Sequence, residues 1–338
     1  KVEWIPPRSQ SRMLGMLEKR PDWCLSRQRY WGVGIPVVYC TNPDCPRKGR
    51  VLQEEQVFES IASKVREKGS DVWFEEKVEA LIPPGFSCPE CGKRQFKKEE
   101  DIIDVWFESG ISHRSVLARE ESLRDPADMY IEGSDQHRGW FQTSLLTAVA
   151  LKGSPPFKKV LTHGFVVDAQ GKKMSKSLGN VVDPAKIIDR WGAEILRLWV
   201  CLEDYTQDIR VSKEIIGQTI DIYRRIRNSY RFLLGNLHDF CFPENAVKSE
   251  EMREIDRWVL SQLQSLIKEV TAHYESFRFY EAFHLIHHFT STRLSAFFFD
   301  VLKDRLYTFS RNSRERRSAQ TALYCLLMTL IHLTAPVL

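Results

Sequence analysis

The 338 residues contain no Gly-x-x-x-x-Gly-Lys-[Ser/Thr] loop and no other glycine-rich phosphate cradle, which argues against a kinase-like phosphotransferase. There is no internal repeat and no low-complexity tract, so solenoids and disordered tails are set aside. Eight cysteines are too few and too unevenly placed for a secreted disulfide scaffold of this size. No charged n-region followed by an apolar h-region opens the chain; Lys1 to Ile5 reads as a strand entered directly, as if from a longer polypeptide. Charge of one sign is also scarce: 49 basic and 45 acidic residues leave a net +4, which permits an anionic partner without demanding one.

Long hydrophobic runs are nearly absent. Ser318 to Leu338 carries no Asp, Glu, Lys or Arg, but Gln320, Thr321, Thr329, His332 and Thr334 interrupt it. Ala319, Leu323, Leu326, Leu327, Leu330 and Ile331 recur there at helical spacing, which predicts a bundle helix rather than a membrane span. No membrane association is expected.

What is present is enough to fill real cores: 43% of all residues are hydrophobic and 11% of all residues are aromatic. "WIPP" and "GVGIPVVY" read as two short strands within residues 1–39. Residues 40–102 shift to proline, glycine and charge around one amphipathic helix marked by Val57, Ile61 and Val65, and read as a small inserted module. In residues 103–211, "DIIDVWF", "DMYIEG" and "VLTHGFVV" read as strands, with a helix from about Trp140 to Leu151. Such alternation predicts a parallel α/β sheet. Asp183 and Pro184 signal a helix start. From 212 to 338, stripes through Ile226, Tyr230 and Leu233, through Trp258, Leu263, Leu266 and Val270, and through Phe279, Phe283, Ile286 and Phe289 predict an all-α bundle.

Cys40-x4-Cys45 and Cys88-x2-Cys91, with Pro43, Pro46, Pro89 and Gly92 in or beside the turns, suit four thiolates converging on a tetrahedral Zn²⁺. The alternative is four unrelated buried or reactive thiols. With all four positions filled by protein, the metal would be structural, and so small a module is expected to have little core of its own and to draw much of its folding free energy from the ion. A reducing compartment fits this cysteine usage.

"GKKMSKSLGN" (171 to 180) places Lys172, Lys173 and Lys176 between Gly171 and Gly179. Ammonium groups on a pliable segment can close on a polyphosphate and meet charge that grows toward a transition state. "EGSDQHRGW" follows a strand and opens a helix, so it sits at the carboxyl edge of the sheet, where α/β folds bind ligands.

The string Lys173-Met174-Ser175-Lys176-Ser177 resembles the signature loop of the class I aminoacyl-tRNA synthetases. "DWCLSRQRYWGVGIP", "DVWFESG", "YIEGSDQHRGWF" and "LTHGFVVDAQGKKMSKSLGN" occur in the order they take in the isoleucyl branch, and the resemblance covers essentially the whole chain. It implies the second half of a Rossmann-type class I catalytic domain, interrupted by a zinc-bearing insertion and followed by a helical anticodon-binding domain. It implies activation of L-isoleucine with ATP and Mg²⁺ and transfer to tRNA(Ile), in the cytoplasm, by a monomer.

By the same resemblance, Lys173 and Lys176 are catalytic, with Lys176, His163 and Gly164 meeting ATP. Glu132 would pair with the amino acid's ammonium, Gly133 would let backbone approach the adenylate, and Asp135 and Gln136 would bind its polar groups. Trp106 and Trp140 would wall the side-chain pocket; core packing is the alternative for either alone. Arg27 and Arg29 are open between phosphate steering and structural ion pairs. Arg224, Arg227 and Arg231 on one helical face, and Arg311, Arg314, Arg316 and Arg317, read either as tRNA-backbone contacts or as solvated faces.

The family's His-x-Gly-His signature and its large editing insertion are not in these residues. An apolar pocket rejects a substrate one methylene smaller only weakly, and isoleucine against valine is itself the standard illustration of that limit, so proofreading is expected elsewhere. This segment alone is expected to form no adenylate.

Overall fold

In the computed structural model, which describes residues 1–338 apart from the side chain of Lys176, the chain divides into two units, Lys1–Leu161 and Thr162–Leu338. The first begins with β1 (Glu3–Ile5), α1 (Arg8–Glu18), β2 (Ser26–Arg27) and β3 (Val38–Cys40). Next come α2 (Glu55–Lys68), the single turns α3 (Val72–Glu75) and α4 (Val78–Leu81), β4 (Phe96–Lys98) and β5 (Ile102–Ile103). Then follow α5 (Val105–Gly110), β6 (Ala127–Gly133), α6 (Trp140–Lys152) and β7 (Phe157–His163).

β7 lies between β1 and β6, and β1 runs parallel to it with Trp4 opposite Val160. Phe141 of α6 and Met13 of α1 close over Tyr130, Phe157 and Val160 of this sheet. The strand–helix–strand succession expected for an α/β unit is therefore present, with the β6 to α6 turn at the carboxyl end of β6.

Two expected strands are broken, each for a visible reason. "DIIDVWF" stops at Asp104, whose Oδ1 accepts a hydrogen bond from Trp106 N at 3.0 Å and so caps α5. "VLTHGFVV" is cut at Gly164: its N–H donates to Tyr205 O at 2.8 Å, and a Cβ on it would lie 2.1 Å from Gln207 O. Only glycine admits that crossing of two backbones.

The cysteine-bearing module corrects one expectation. It has its own core: Val38, Leu52, Val57, Ile61, Val72, Trp73, Val78, Leu81 and Ile82 are all buried together. The antiparallel β3–β4 pair is covered by α2 and the two short turns. Each such side chain contributes about 1.5–3 kcal/mol before chain entropy is counted, so an ion is not the module's sole source of stability.

In the second unit, β8 (Val166–Val167) pairs parallel with β9 (Ile209–Arg210). Between them lie α7 (Pro184–Trp191) and α8 (Ala193–Leu202); Asp183 Oδ1 accepts from Ala185 N and Pro184 occupies the first turn, as its sequence predicts. α9 (Lys213–Gly235), α10 (Glu254–Glu275) and α11 (Phe279–His288) follow. A π-helical stretch, Phe289–Phe298, joins α11 to α12 (Phe299–Tyr307), and α13 (Arg314–Thr334) follows. The predicted apolar stripes meet here, with Leu233, Leu263, Ile286, Leu302 and Leu326 buried in one cluster. Among the described residues no helix is long and apolar enough to cross a membrane.

Two buried carboxylates tie the helices. Asp256 receives both guanidinium nitrogens of Arg305 at 2.7 Å and Ser318 Oγ at 2.6 Å. Asp239 receives Arg316 at 2.7 and 3.1 Å and Gln320 at 2.7 Å, and those donors hold its carboxyl well below the usual range. Asp256→Ala strands Arg305 and is expected to cost about 3–5 kcal/mol in denaturant unfolding, whereas Asp221→Ala at the exposed Arg224 pair should cost under about 1 kcal/mol.

Candidate active site and metal centre

β6 delivers Glu132 and Gly133 to the sheet edge, and a 3₁₀ turn, Ser134–His137, carries the chain into α6. Glu132 and Asp135 are exposed; Glu132 Oε2 accepts from Gly133 N at 3.3 Å, a long bond that leaves the carboxylate open to a ligand. Gln136 is committed: its Oε1 accepts from Trp140 N at 2.9 Å, completing the start of α6, and its Nε2 donates to Asp135 Oδ2 at 3.1 Å. His137 is buried, donates through Nδ1 to Ser134 O, and is kept neutral by desolvation.

Trp106 reaches the start of α6. α5 packs on α6 at Gly139, where a Cβ would stand 2.9 Å from two ring carbons of Trp106. Trp140 stacks on Tyr130 with centroids 4.0 Å apart and planes 6° off parallel, and its Nε1 donates to Ser109 O at 2.9 Å. Its indole is thus fixed from two sides, while Trp106 keeps 42% of its surface in solvent. One indole is held in place; the other keeps an open face.

Arg27 is resolved as a structural ion pair: its Nη2 donates to Asp104 at 2.5 Å, and Trp23 Nε1 reaches the same oxygen at 2.9 Å. Arg29 is exposed beside Trp31 and Trp106. Glu108, which no sequence motif marks as functional by itself, faces the same groove. Burial pushes its carboxyl up, with Asp104 adding to the effect, and its Oε1 has no hydrogen-bond partner among the described residues. Its only sequence signal is its place in "DVWFESG".

In the second unit, the lysine-bearing segment is more ordered than its composition suggests. Val167 bridges Lys173, and the turn between them closes by Gly171 N donating to Asp168 O, with Gly171 at φ 78°. Asp168 Oδ1 accepts from Gln170 N at 3.0 Å and Lys172 N at 2.8 Å; a bond from Asn180 Nδ2, and then these two, hold its carboxyl below the usual range. Lys172 and Lys173 are exposed, and Met174 packs onto the cluster of Ile187 and Trp199. The Lys176 side chain, expected to be catalytic, lies outside the described residues. His163 Nδ1 donates to Gly164 O at 2.7 Å, and Gly164 is the residue at which the chain crosses the backbone of Gln207.

The four sulfurs of Cys40, Cys45, Cys88 and Cys91 lie within 4.8 Å of one another and could hold a metal ion. Cys40 to Cys91 is 3.8 Å and Cys45 to Cys88 is 3.7 Å. Four thiolates about 2.3 Å from a tetrahedral centre stand about 3.8 Å apart, whereas a disulfide would bring a pair to about 2.0 Å. The donor set therefore fits a tetrahedral cation. Burial pushes Cys45 up to about 12, while hydrogen bonds from Asn42 and Lys93 N bring Cys91 down to about 6.

The arginines divide. Arg224, Arg227 and Arg231 are exposed on α9, and Arg311 and Arg314 are exposed ahead of and at the start of α13. Arg316 and Arg317 are corrections: both are buried, Arg316 on Asp239 and Arg317 on Asp239 O at 2.8 Å, Gln320 Oε1 at 2.8 Å and Asn312 at 3.0 Å. A guanidinium so occupied cannot also meet a phosphate backbone.

Residues 1–212 match the family model described as tRNA synthetases class I (I, L, M and V), and residues 256–338 match the anticodon-binding domain of tRNA ligase. The whole chain is 52% identical to the isoleucine–tRNA ligase of Caldanaerobacter subterraneus subsp. tengcongensis and 53% identical to that of Persephonella marina, covering 36% of each. The chain thus spans about a third of the length of these relatives. In fold it is similar to a leucyl-tRNA synthetase of Agrobacterium radiobacter K84, with TM-score 0.63 and 22% identity over 98% of this chain and 43% of that one. It is similar also to the methionyl-tRNA synthetase of Mycobacterium tuberculosis, with TM-score 0.65 and 17% identity over 99% of this chain and 56% of that one.

Protein isolated without chelator is expected to carry about one metal equivalent on these thiols, and Cys88→Ser to lower that severalfold, read by elemental analysis. Four free thiols and no metal in the isolated protein would contradict the site.

Proposed function

Given that the chain belongs to the class I tRNA synthetases of the isoleucine, leucine, methionine and valine group, we propose that it is the core segment of an isoleucine–tRNA ligase acting in the cytoplasm. The observation that carries this reading is the identity of about half of all positions, along the full chain, to proteins of that name. The activity is proposed for a protein of those relatives' full length that contains this segment.

The reaction has two steps. The carboxylate of L-isoleucine attacks the α-phosphate of ATP, forming a C–O–P bond as the bond to pyrophosphate breaks; the 2′- or 3′-hydroxyl of the terminal tRNA(Ile) ribose then displaces AMP from the acyl carbon. No side-chain nucleophile is needed, so the protein's part is positioning and charge stabilisation. Glu132 takes the α-ammonium and Gly133 lets backbone approach the adenylate. Asp135 meets polar groups of the adenylate, with Gln136 acting chiefly by holding Asp135 and the start of α6. Trp106 and Trp140 bound the aliphatic side chain.

Lys173 and Lys176 receive the departing pyrophosphate, and His163 meets the adenine. Mg²⁺ accompanying ATP supplies further neutralisation of its phosphates. Zn²⁺ on the four cysteines is structural, as no ligand position is left for water.

We read residues 1–39 as re-entry to the catalytic core, 40–102 as the metal-bearing insertion and 103–211 as the second half of the catalytic domain. Residues 212–338 are the helical tRNA-binding part, with Arg224, Arg227, Arg231 and Arg314 as backbone contacts.

The test is amino-acid-dependent exchange of pyrophosphate into ATP by the full-length protein. Isoleucine is expected to support exchange best and leucine not at all. Lys173→Ala or Lys176→Ala is expected to lower kcat about 10²- to 10³-fold with isoleucine KM within about twofold. Unchanged kcat in both variants, or exchange driven best by another amino acid, would overturn the assignment.

A further inference from the structure

The lysine segment has left-handed glycines at both ends, Gly171 at φ 78° and Gly179 at φ 66°. Glycines of that kind release a loop rather than fix it. What fixes this one is a pair of side chains twelve residues apart. Asp168 Oδ2 accepts from Asn180 Nδ2 at 2.8 Å, while Asp168 Oδ1 takes the N–H groups of Gln170 and Lys172. Asn180 Oδ1 accepts from Ser175 N at 2.9 Å, and its Nδ2 also reaches Lys173 O at 3.4 Å.

These bonds grip the backbone at Lys172, Lys173 and Ser175, the positions that flank and carry the exposed ammonium groups. Both ends of the pair are anchored. Asp168 directly follows Val167, which is buried and paired with Arg210; Asn180 stands three residues before Asp183, the cap of α7. Between them Met174 is seated in the apolar cluster of α7 and α8, and Ser175 Oγ accepts from Leu178 N to hold the following turn.

We propose that Asp168 and Asn180 form a clasp that positions the lysine segment, setting the direction of Lys173 before nucleotide binds. The proposal rests on the pyrophosphate role given to Lys173 above and adds to it two positioning residues that touch neither substrate. A loop already shaped to meet the leaving group needs no ordering during the chemical step, so the clasp acts on kcat and leaves amino-acid binding alone.

The experiment is an exchange cycle in the full-length protein: Asn180→Asp, Asp168→Asn, and the two together. Asn180→Asp sets two carboxylates against each other and breaks the clasp; the double variant restores the contact with donor and acceptor exchanged. The single Asn180→Asp is expected to lower kcat for isoleucine-dependent exchange about 10- to 100-fold with isoleucine KM within about twofold, and the double variant to return to within about fivefold of wild type.

Hydrogen–deuterium exchange over residues 168–180 should rise in the single variants and fall back in the double. Wild-type kcat in both single variants, or a double variant no better than the poorer single one, overturns the clasp. A wild-type protein with no isoleucine-dependent exchange sinks the assigned reaction instead. In that event the hydrogen exchange decides alone, equal protection in wild type and Asn180→Asp overturning the clasp and lost protection sustaining it.

Discussion

A turn or helix that starts at a ligand-facing edge leaves backbone N–H groups without partners, and each must find an acceptor. In this chain side chains meet that need wherever function is proposed. Asp104 caps α5 and Gln136 completes the start of α6, so the elements bearing Trp106 and Trp140 are fixed from their first turn. Asp168 caps the lysine turn and Asp183 caps α7. Such acceptors stiffen loops that glycine would otherwise free, and they do so without occupying Glu132 or Lys173.

The same acceptors show what sequence can and cannot reveal. Asp183 was legible because its partner lies two residues away and Pro184 marks the helix start. The cysteine pairs were legible because spacing and turn residues are local. Trp106 and Trp140 could be named, yet nothing in the sequence says that Trp140 is stacked on Tyr130 and Trp106 is not. Arg317 was misplaced among surface contacts because its partner, Asp239, is 78 residues earlier and brought close only by helix packing. Asp168 and Asn180 carry no signal in the sequence, since neither is unusual alone; the meaning lies in the bond between them. The strand break at Asp104 was hidden by apolar neighbours whose pattern suits a strand equally well.

The cysteine module illustrates a balance of terms. Its short strands and hairpins look too slight to fold unaided, but α2 brings Val57 and Ile61 against Trp73 and Leu81 and gives it a core. A cation on the four sulfurs would then tie together two hairpins that meet this core through Phe96, and would hold the buried Cys45 as a thiolate. In the helical region the buried pairs at Asp256 and Asp239 serve a different end: they fix how α10, α12 and α13 meet, while the arginines on α9 remain in solvent.

The proposed reaction requires the β6 to α6 edge to hold an aminoacyl adenylate. A crystal structure of the full-length protein with a non-hydrolysable isoleucyl-adenylate analogue tests it most directly. The account requires the analogue's ammonium within hydrogen-bond distance of Glu132 and its aliphatic chain against Trp106. An analogue bound with neither contact would contradict it.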